Sequence, residues 1–179
     1  MSLRQSMHIP VFLLLGSNQG NSVGNLAIAR EMIGQQAGKI LMVSSLYKSA
    51  AWGKSEQPDF YNQVLEISSA LPPETLLEKL LDIELQMGRI RIEKWGPRLI
   101  DIDLLFYGDE IRNTVALHLP HPGIPERKFT LLPLTEIAPG FVHPVIKKTI
   151  TTLLAECHDP LMVEKLSSSL TPHVKRRKH

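Results

Sequence analysis

The chain holds one cysteine in 179 residues. No internal disulfide can form, and Cys157 has no Cys-x-x-Cys neighbour that would mark a metal site. That economy points to a reducing compartment, so the cytoplasm is the expected location. No apolar run approaches the roughly 20 residues that span a bilayer, and no membrane partner is expected. Val11 to Leu15 is short for a secretory signal core and passes straight into the turn-forming Gly16-Ser17-Asn18-Gln19-Gly20-Asn21. Neither GxGxxG nor GxxxxGK[ST] follows that strand, which excludes two common phosphate-binding loops. Broad basic charge is also missing. The formal net charge is +2, but Lys175, Arg176, Arg177 and Lys178 lie in the last five residues, leaving 16 basic against 18 acidic side chains in the rest. A general grip on nucleic acid needs cations spread over a face, so none is expected.

What is present fits one globular domain over residues 9–166, a size that defaults to a monomer. Residues 1–8 read as a leader and residues 167–179 as a basic tail, both expected to be disordered. Val11 to Leu15 reads as a continuously apolar and therefore central strand, with Asn21 or Ser22 capping a helix through Leu26, Ile28, Ala29, Met32 and Ile33. Ile40 to Tyr47 and Phe60 to Ser68 read as the second and third strands, separated by a long loop. Pro72-Pro73 opens a helix whose Leu76, Leu80, Ile83 and Met87 form an apolar stripe, ended by Gly88. Leu99 to Tyr107 is the fourth strand. Phe129 to Ile137, interrupted by Pro133, and Ile150 to Cys157 read as short helices. This order implies an α+β fold, a βαββαβ sandwich with extra C-terminal helices on a mostly antiparallel sheet.

The chemistry concentrates around Asp101 and Asp103. A strand's period of two sends both carboxylates to one face and the intervening isoleucine to the other. Two such carboxylates can hold magnesium, which takes one or two carboxylates together with phosphate oxygens and waters. Just upstream, Arg89, Arg91, Lys94 and Arg98 surround Trp95, with Glu93 as the one anion between them. A polyphosphate reconciles the two sets: arginine forks bind its oxygens while the carboxylate-bound ion neutralises the rest. Glu84, in the last turn of its helix, opposes the helix dipole and needs a partner; Arg89, Arg91 or a ligand could supply it. His121 and Arg127 lie in a proline-rich loop able to fix ligand-facing side chains. His118 and His121 lack the further ligands of a zinc site. The rival reading, an RNA-binding βαββαβ module, lacks stacking aromatics on its strands.

These motifs resemble the hydroxymethyldihydropterin pyrophosphokinase family. The resemblance rests on Leu-Gly-Ser-Asn after the first strand, Gln57-Pro-Asp-Phe60-Tyr-Asn62, the stretch from Gly88-Arg-Ile-Arg91 through Trp95-Gly-Pro-Arg98-Leu-Ile-Asp101-Ile-Asp103, and Pro120-His121 followed by Arg127 and Phe129. It implies a ferredoxin-like fold whose loops at about 49–60 and 89–98 close over ATP and a pterin. It further implies two magnesium ions on Asp101 and Asp103, with Arg89 and Arg98 steadying the triphosphate. Glu84, Arg91, Lys94, Trp95, Leu104, His121 and Arg127 fall at nucleotide-contact positions, and Ala50, Trp52, Phe60, Asn62 and Phe129 at acceptor positions, Phe129 by stacking. The implied reaction is attack by the pterin's primary hydroxyl on the β-phosphorus of ATP, giving the pterin diphosphate and AMP. Asp101 and metal-assisted loss of the proton both stand as routes for the hydroxyl hydrogen. The chain departs from the family pattern at Lys94, where arginine is common, and at Leu81 and Pro122.

Overall fold

The computed structural model describes residues 8–51, 56–89 and 97–167. In chain order its elements are β1 (Val11–Ser17), α1 (Ser22–Gln36), β2 (Lys39–Val43), β3 (Tyr47–Ser49), β4 (Phe60–Ser68), α2 (Pro73–Gln86), β5 (Asp101–Tyr107), β6 (Arg112–Asn113), β7 (His118–Leu119), α3 (Lys128–Ile137), α4 (Ile150–Glu156) and β8 (Val163–Lys165). A short 3-10 turn at Ile124–Glu126 precedes α3. The main sheet runs β5-β1-β4-β3-β8, with β2 also on β4, and every pairing in it is antiparallel.

Two helical layers enclose this sheet. Val11, Leu13 and Leu15 pack on one face against Leu26, Ala29 and Ile33 of α1 and Leu76, Leu80 and Ile83 of α2. Phe12 and Leu14 face the other way, against Leu131 and Leu134 of α3 and Ile150 and Leu153 of α4. Burial on both faces is why β1 is apolar at consecutive positions rather than alternate ones. Asn21 caps α1, its side chain accepting from the Gly24 N–H at 3.0 Å. Ile28, expected among the apolar positions of α1, is exposed instead. A register shift opposite Phe12 and Leu13 skips Leu105, so Leu105 and Phe106 both enter the α3/α4 core while Tyr107 turns to the α1/α2 side.

Three further expectations differ from the fold. The strand read over Ile40 to Tyr47 is two strands, because at the break the Ser44 hydroxyl, not a strand carbonyl, accepts the Val64 N–H, at 2.9 Å. Pro133 does not interrupt α3, which runs through it; lacking an N–H, it leaves the Phe129 carbonyl without its helical donor. The strand read over Leu99 to Tyr107, β5, starts at Asp101, two residues later than read. The C-terminal strand β8 carries no apolar alternation of its own and was missed. Among the described residues, no helix is long and apolar enough to cross a membrane.

Leu13 is fully buried in the α1/α2 core and Leu85 is 66% exposed. Urea melts should show Leu13→Ala losing about 2–5 kcal/mol, while Leu85→Ala stays within about 0.5 kcal/mol of the parent.

Candidate active site

At the outer edge of the sheet, β5 turns Asp101 and Asp103 toward the α3 side, where they pair in register with Gly16 and Leu14 of β1. Ile102 and Leu104 point into the α1/α2 core. Two recesses meet at the carboxylates. One is a cavity of about 650 Å³ including its open mouth, bounded by Ser49 and Ala50 after β3, Phe60 and Asn62 of β4, and Arg127 and Phe129 at the start of α3. Leu14 and Gly16 also line it, and Arg98, Asp101 and Asp103 stand at its polar side. The other is a groove along the free edge of β5, between Leu81 and Glu84 of α2 and the segment carrying His118, His121 and Pro122. Asp101 and Asp103 border both.

Helix α2 ends where Gly88 takes a positive φ of 89°, a conformation glycine adopts without strain. The chain turns back there, and the Arg89 N–H donates to the Glu84 carbonyl at 3.0 Å. The Arg89 guanidinium then pairs with the Glu84 carboxylate and lies 3.1 Å from Asp101 Oδ1. Arg98 pairs with Asp101 from the other side. Glu84 is 2% exposed, and its Oε1 also accepts the Ile102 N–H at 2.6 Å. Of the partners open to Glu84 in the sequence, Arg89 is therefore one, while Arg91 lies outside the described residues. Burial above all raises the Glu84 carboxyl above its usual range, against the lowering effect of the Ile102 N–H.

Asp103 is different. Among the described residues its carboxylate has no hydrogen-bond or ion-pair partner. Burial, then Asp101, then Glu84 push its pKa up to about 7, with Arg127 and Arg98 opposing. An unpaired carboxylate beside a paired one leaves negative charge that a divalent cation would neutralise. Among the described residues no group of three or more His, Cys, Asp or Glu could hold a metal alone. Magnesium needs no such cage when phosphate oxygens complete its shell. The residues therefore fit a magnesium ion shared with a phosphorylated substrate.

A buried polar knot holds the site's flanks. Asn18, 3% exposed, accepts the Arg98 N–H at 2.8 Å and donates to Gln57 Oε1 and the Pro58 carbonyl, each at 3.2 Å. Ser17 and Asn25 both donate to the Leu99 carbonyl, at 2.6 and 3.2 Å. In the cavity, Asn62 donates to Ser49 Oγ at 3.0 Å, and the Arg127 guanidinium lies 5.8 Å from the Phe129 ring centre.

The structure thus brings Ala50, Phe60, Asn62, Arg98, Asp101, Asp103, Arg127 and Phe129 to the cavity. Glu84, Arg89, Leu104 and His121 line the groove, with the two aspartates shared. Arg127, grouped above with the nucleotide contacts, lines the cavity rather than the groove. Trp52, Arg91, Lys94 and Trp95 lie outside the described residues. Sequence reasoning missed Asn18, Ser17, Asn25 and Ser49. For Ser17 and Asn18 the signal is the polar stretch at the end of β1, while Asn25 in α1 and Ser49 in β3 carry none.

His121 Nδ1 accepts the Gly123 N–H at 3.0 Å. Burial, then Arg127, hold the ring's pKa at about 4 against an ordinary 6.5. The neutral ring is the form the fold favours. Its contribution to stability is complete above about pH 6.5 and is lost as pH falls toward 4, because the unfolded chain takes up the proton first. Melting temperature followed from pH 7 to pH 4 should fall less steeply in His121→Gln than in the parent.

Two recesses meet at a carboxylate pair flanked by arginines, an arrangement whose charges suit a phosphorylated ligand with a divalent cation. Residues 12–139 match the family model described as 7,8-dihydro-6-hydroxymethylpterin-pyrophosphokinase, HPPK. The 2-amino-4-hydroxy-6-hydroxymethyldihydropteridine pyrophosphokinase of Aquifex aeolicus is 41% identical over 140 residues, covering 78% of this chain and 87% of its own length. Its namesake from Synechocystis is 44% identical over 143 residues, covering 79% and 73%. The folic acid synthesis protein fol1 of Pneumocystis carinii is 40% identical over 149 residues, but the chain spans only 20% of it. A Plasmodium falciparum HPPK-DHPS crystal structure superposes with a TM-score of 0.67 at 18% identity, over 86% of this chain and 44% of that one, which bears on the fold alone. The chain belongs to the HPPK family, the ATP-dependent pyrophosphokinases of folate biosynthesis.

Proposed function

We propose that the chain transfers pyrophosphate from ATP to 6-hydroxymethyl-7,8-dihydropterin with two magnesium ions at Asp101 and Asp103, acting as a monomer in the cytoplasm. The observation that carries this reading is the meeting of cavity and groove at those two carboxylates. The pterin occupies the cavity and the nucleotide the groove, so that acceptor hydroxyl and β-phosphorus meet beside Asp101 and Asp103. Bound magnesium would neutralise phosphate oxygens there and draw them into position.

The chain's own residues do the rest. Asn62, anchored through Ser49, presents its Oδ1 and second N–H to the amide-like edge of the ring. Phe129 offers a face for stacking, Phe60 a second apolar wall, and Ala50 mainly backbone and wall. Arg89 and Arg98, already gathered on Asp101, stand where phosphate oxygens would arrive, so charge stabilisation requires little rearrangement. His121, neutral through the physiological range, serves the nucleotide as a hydrogen-bonding ring without charge. Arg91, Lys94, Trp95, Trp52 and Leu104 complete the assignment by family resemblance. In the step itself the hydroxyl oxygen loses its proton, to Asp101 or to solvent with metal assistance, and forms a bond to the β-phosphorus; the bond from that phosphorus to the α,β-bridging oxygen breaks in line, and AMP leaves with the electron pair.

The test is to incubate the chain with ATP, magnesium and the pterin alcohol and to identify the nucleotide released. AMP supports the reading and ADP overturns it. Asp103→Asn should cut turnover at least about 100-fold. Because the charged carboxylate is disfavoured by its surroundings, the same change should leave the melting temperature unchanged or raised. Wild-type turnover in that variant would remove the metal role.

A further inference from the structure

The family match ends at residue 139, yet two walls of the cavity are tied to a segment beyond it. One wall is the start of α3. Its N-cap residue, Arg127, makes no side-chain cap, and Arg127 and Phe129 face the cavity from that end. The missing cap comes from Asp159, 5% exposed, whose Oδ2 accepts the Lys128 N–H at 2.9 Å. Its Oδ1 accepts the Leu161 N–H at 3.0 Å, which turns the chain toward the sheet.

Four residues after Asp159 that chain reaches the other wall. Strand β8 pairs with β3, Val163 opposite Ser49, Glu164 opposite Lys48 and Lys165 opposite Tyr47. The Leu166 N–H donates to the Leu46 carbonyl at 2.9 Å. Ser49 lines the cavity and accepts the Asn62 amide. The two walls are also joined through Glu136 of α3, which accepts the Tyr47 hydroxyl at 2.5 Å and both the N–H and hydroxyl of Ser45, and lies 3.7 Å from Lys165 Nζ. One segment thus fixes the helix end that bears Phe129 and the strand end that bears Ser49.

We infer that residues 159–166 form a brace that sets the width of the ring cavity, and that Asp159 is a positioning residue for the acceptor, acting through the first turn of α3. Loss of its carboxylate frees the Lys128 N–H and lets Phe129 drift from the ring, while the β5-edge groove, built from α2 and residues 116–122, keeps its shape. The effect is therefore selective for one substrate. This rests on the assignment of the pterin to the cavity.

The test is steady-state kinetics of the full chain with each substrate varied in turn. Asp159→Ala should raise KM for the pterin about five- to tenfold, with KM for magnesium-ATP and kcat held within about twofold. Asp159→Asn, which keeps an oxygen for the Lys128 N–H, should restore the pterin KM to within about twofold of the parent. An unchanged pterin KM in Asp159→Ala, or equal rises for both substrates, overturns the brace. If Asp159→Ala gives no folded protein, Asp159→Val, which likewise lacks an acceptor for the Lys128 N–H, is read by the same criterion. Phe129→Ala separates the two claims. A raised pterin KM there with none in Asp159→Ala sinks the brace and keeps the cavity assignment, whereas no change in either variant sinks both.

Discussion

A carboxylate buried at the C-terminal end of a helix is opposed by desolvation, by the helix dipole and, here, by a second carboxylate nearby. Glu84 stands in that position because Arg89 and the Ile102 N–H both bind it. The consequences spread outward. The Ile102 contact fixes α2 to the free edge of β5, which leaves the neighbouring Asp101 and Asp103 facing the other way. Arg89 reaches from Glu84 to Asp101 and so carries the anchoring charge into the site. Removing Glu84 would leave a buried cation and an orphaned edge N–H, a loss larger than that of a surface ion pair.

The same arrangement divides labour between the two aspartates. Asp101 is neutralised by arginines from both sides and organises them. Asp103 has no such partner among the described residues, and burial first, then Asp101 and Glu84, raise its pKa. Under the proposed function, Asp101 would gather the arginines that meet phosphate and Asp103 would keep an opening for a cation. An acidic pair with both members paired to arginine would hold no such place, and one with neither would repel itself without a polyphosphate present.

Much of this was legible in the sequence where one physical rule dominated. Uninterrupted burial of β1 wrote itself as an apolar run, the α2 stripe followed the helical period, and Asp101-Ile102-Asp103 gave its facing from strand alternation alone. Partnerships between distant segments were not legible. That Asn18 binds both Pro58 and the Arg98 backbone depends on a tertiary approach that no local pattern encodes. The break at Ser44 was hidden because a serine within a β-rich stretch does not announce that its hydroxyl will replace a ladder acceptor. Strand β8, Val163–Lys165, owes its conformation to β3 and not to its own residues.

The account turns on Asp101 and Asp103 as the meeting point of nucleotide, ion and acceptor. A crystal structure of the chain with magnesium, a non-hydrolysable ATP analogue and the pterin alcohol tests it most directly. Magnesium ligated by both carboxylates, the pterin against Phe129 and Asn62, and an arginine transferred from Asp101 to phosphate are the predicted result. A triphosphate bound away from the β5 edge, or an ion that neither aspartate touches, would contradict it.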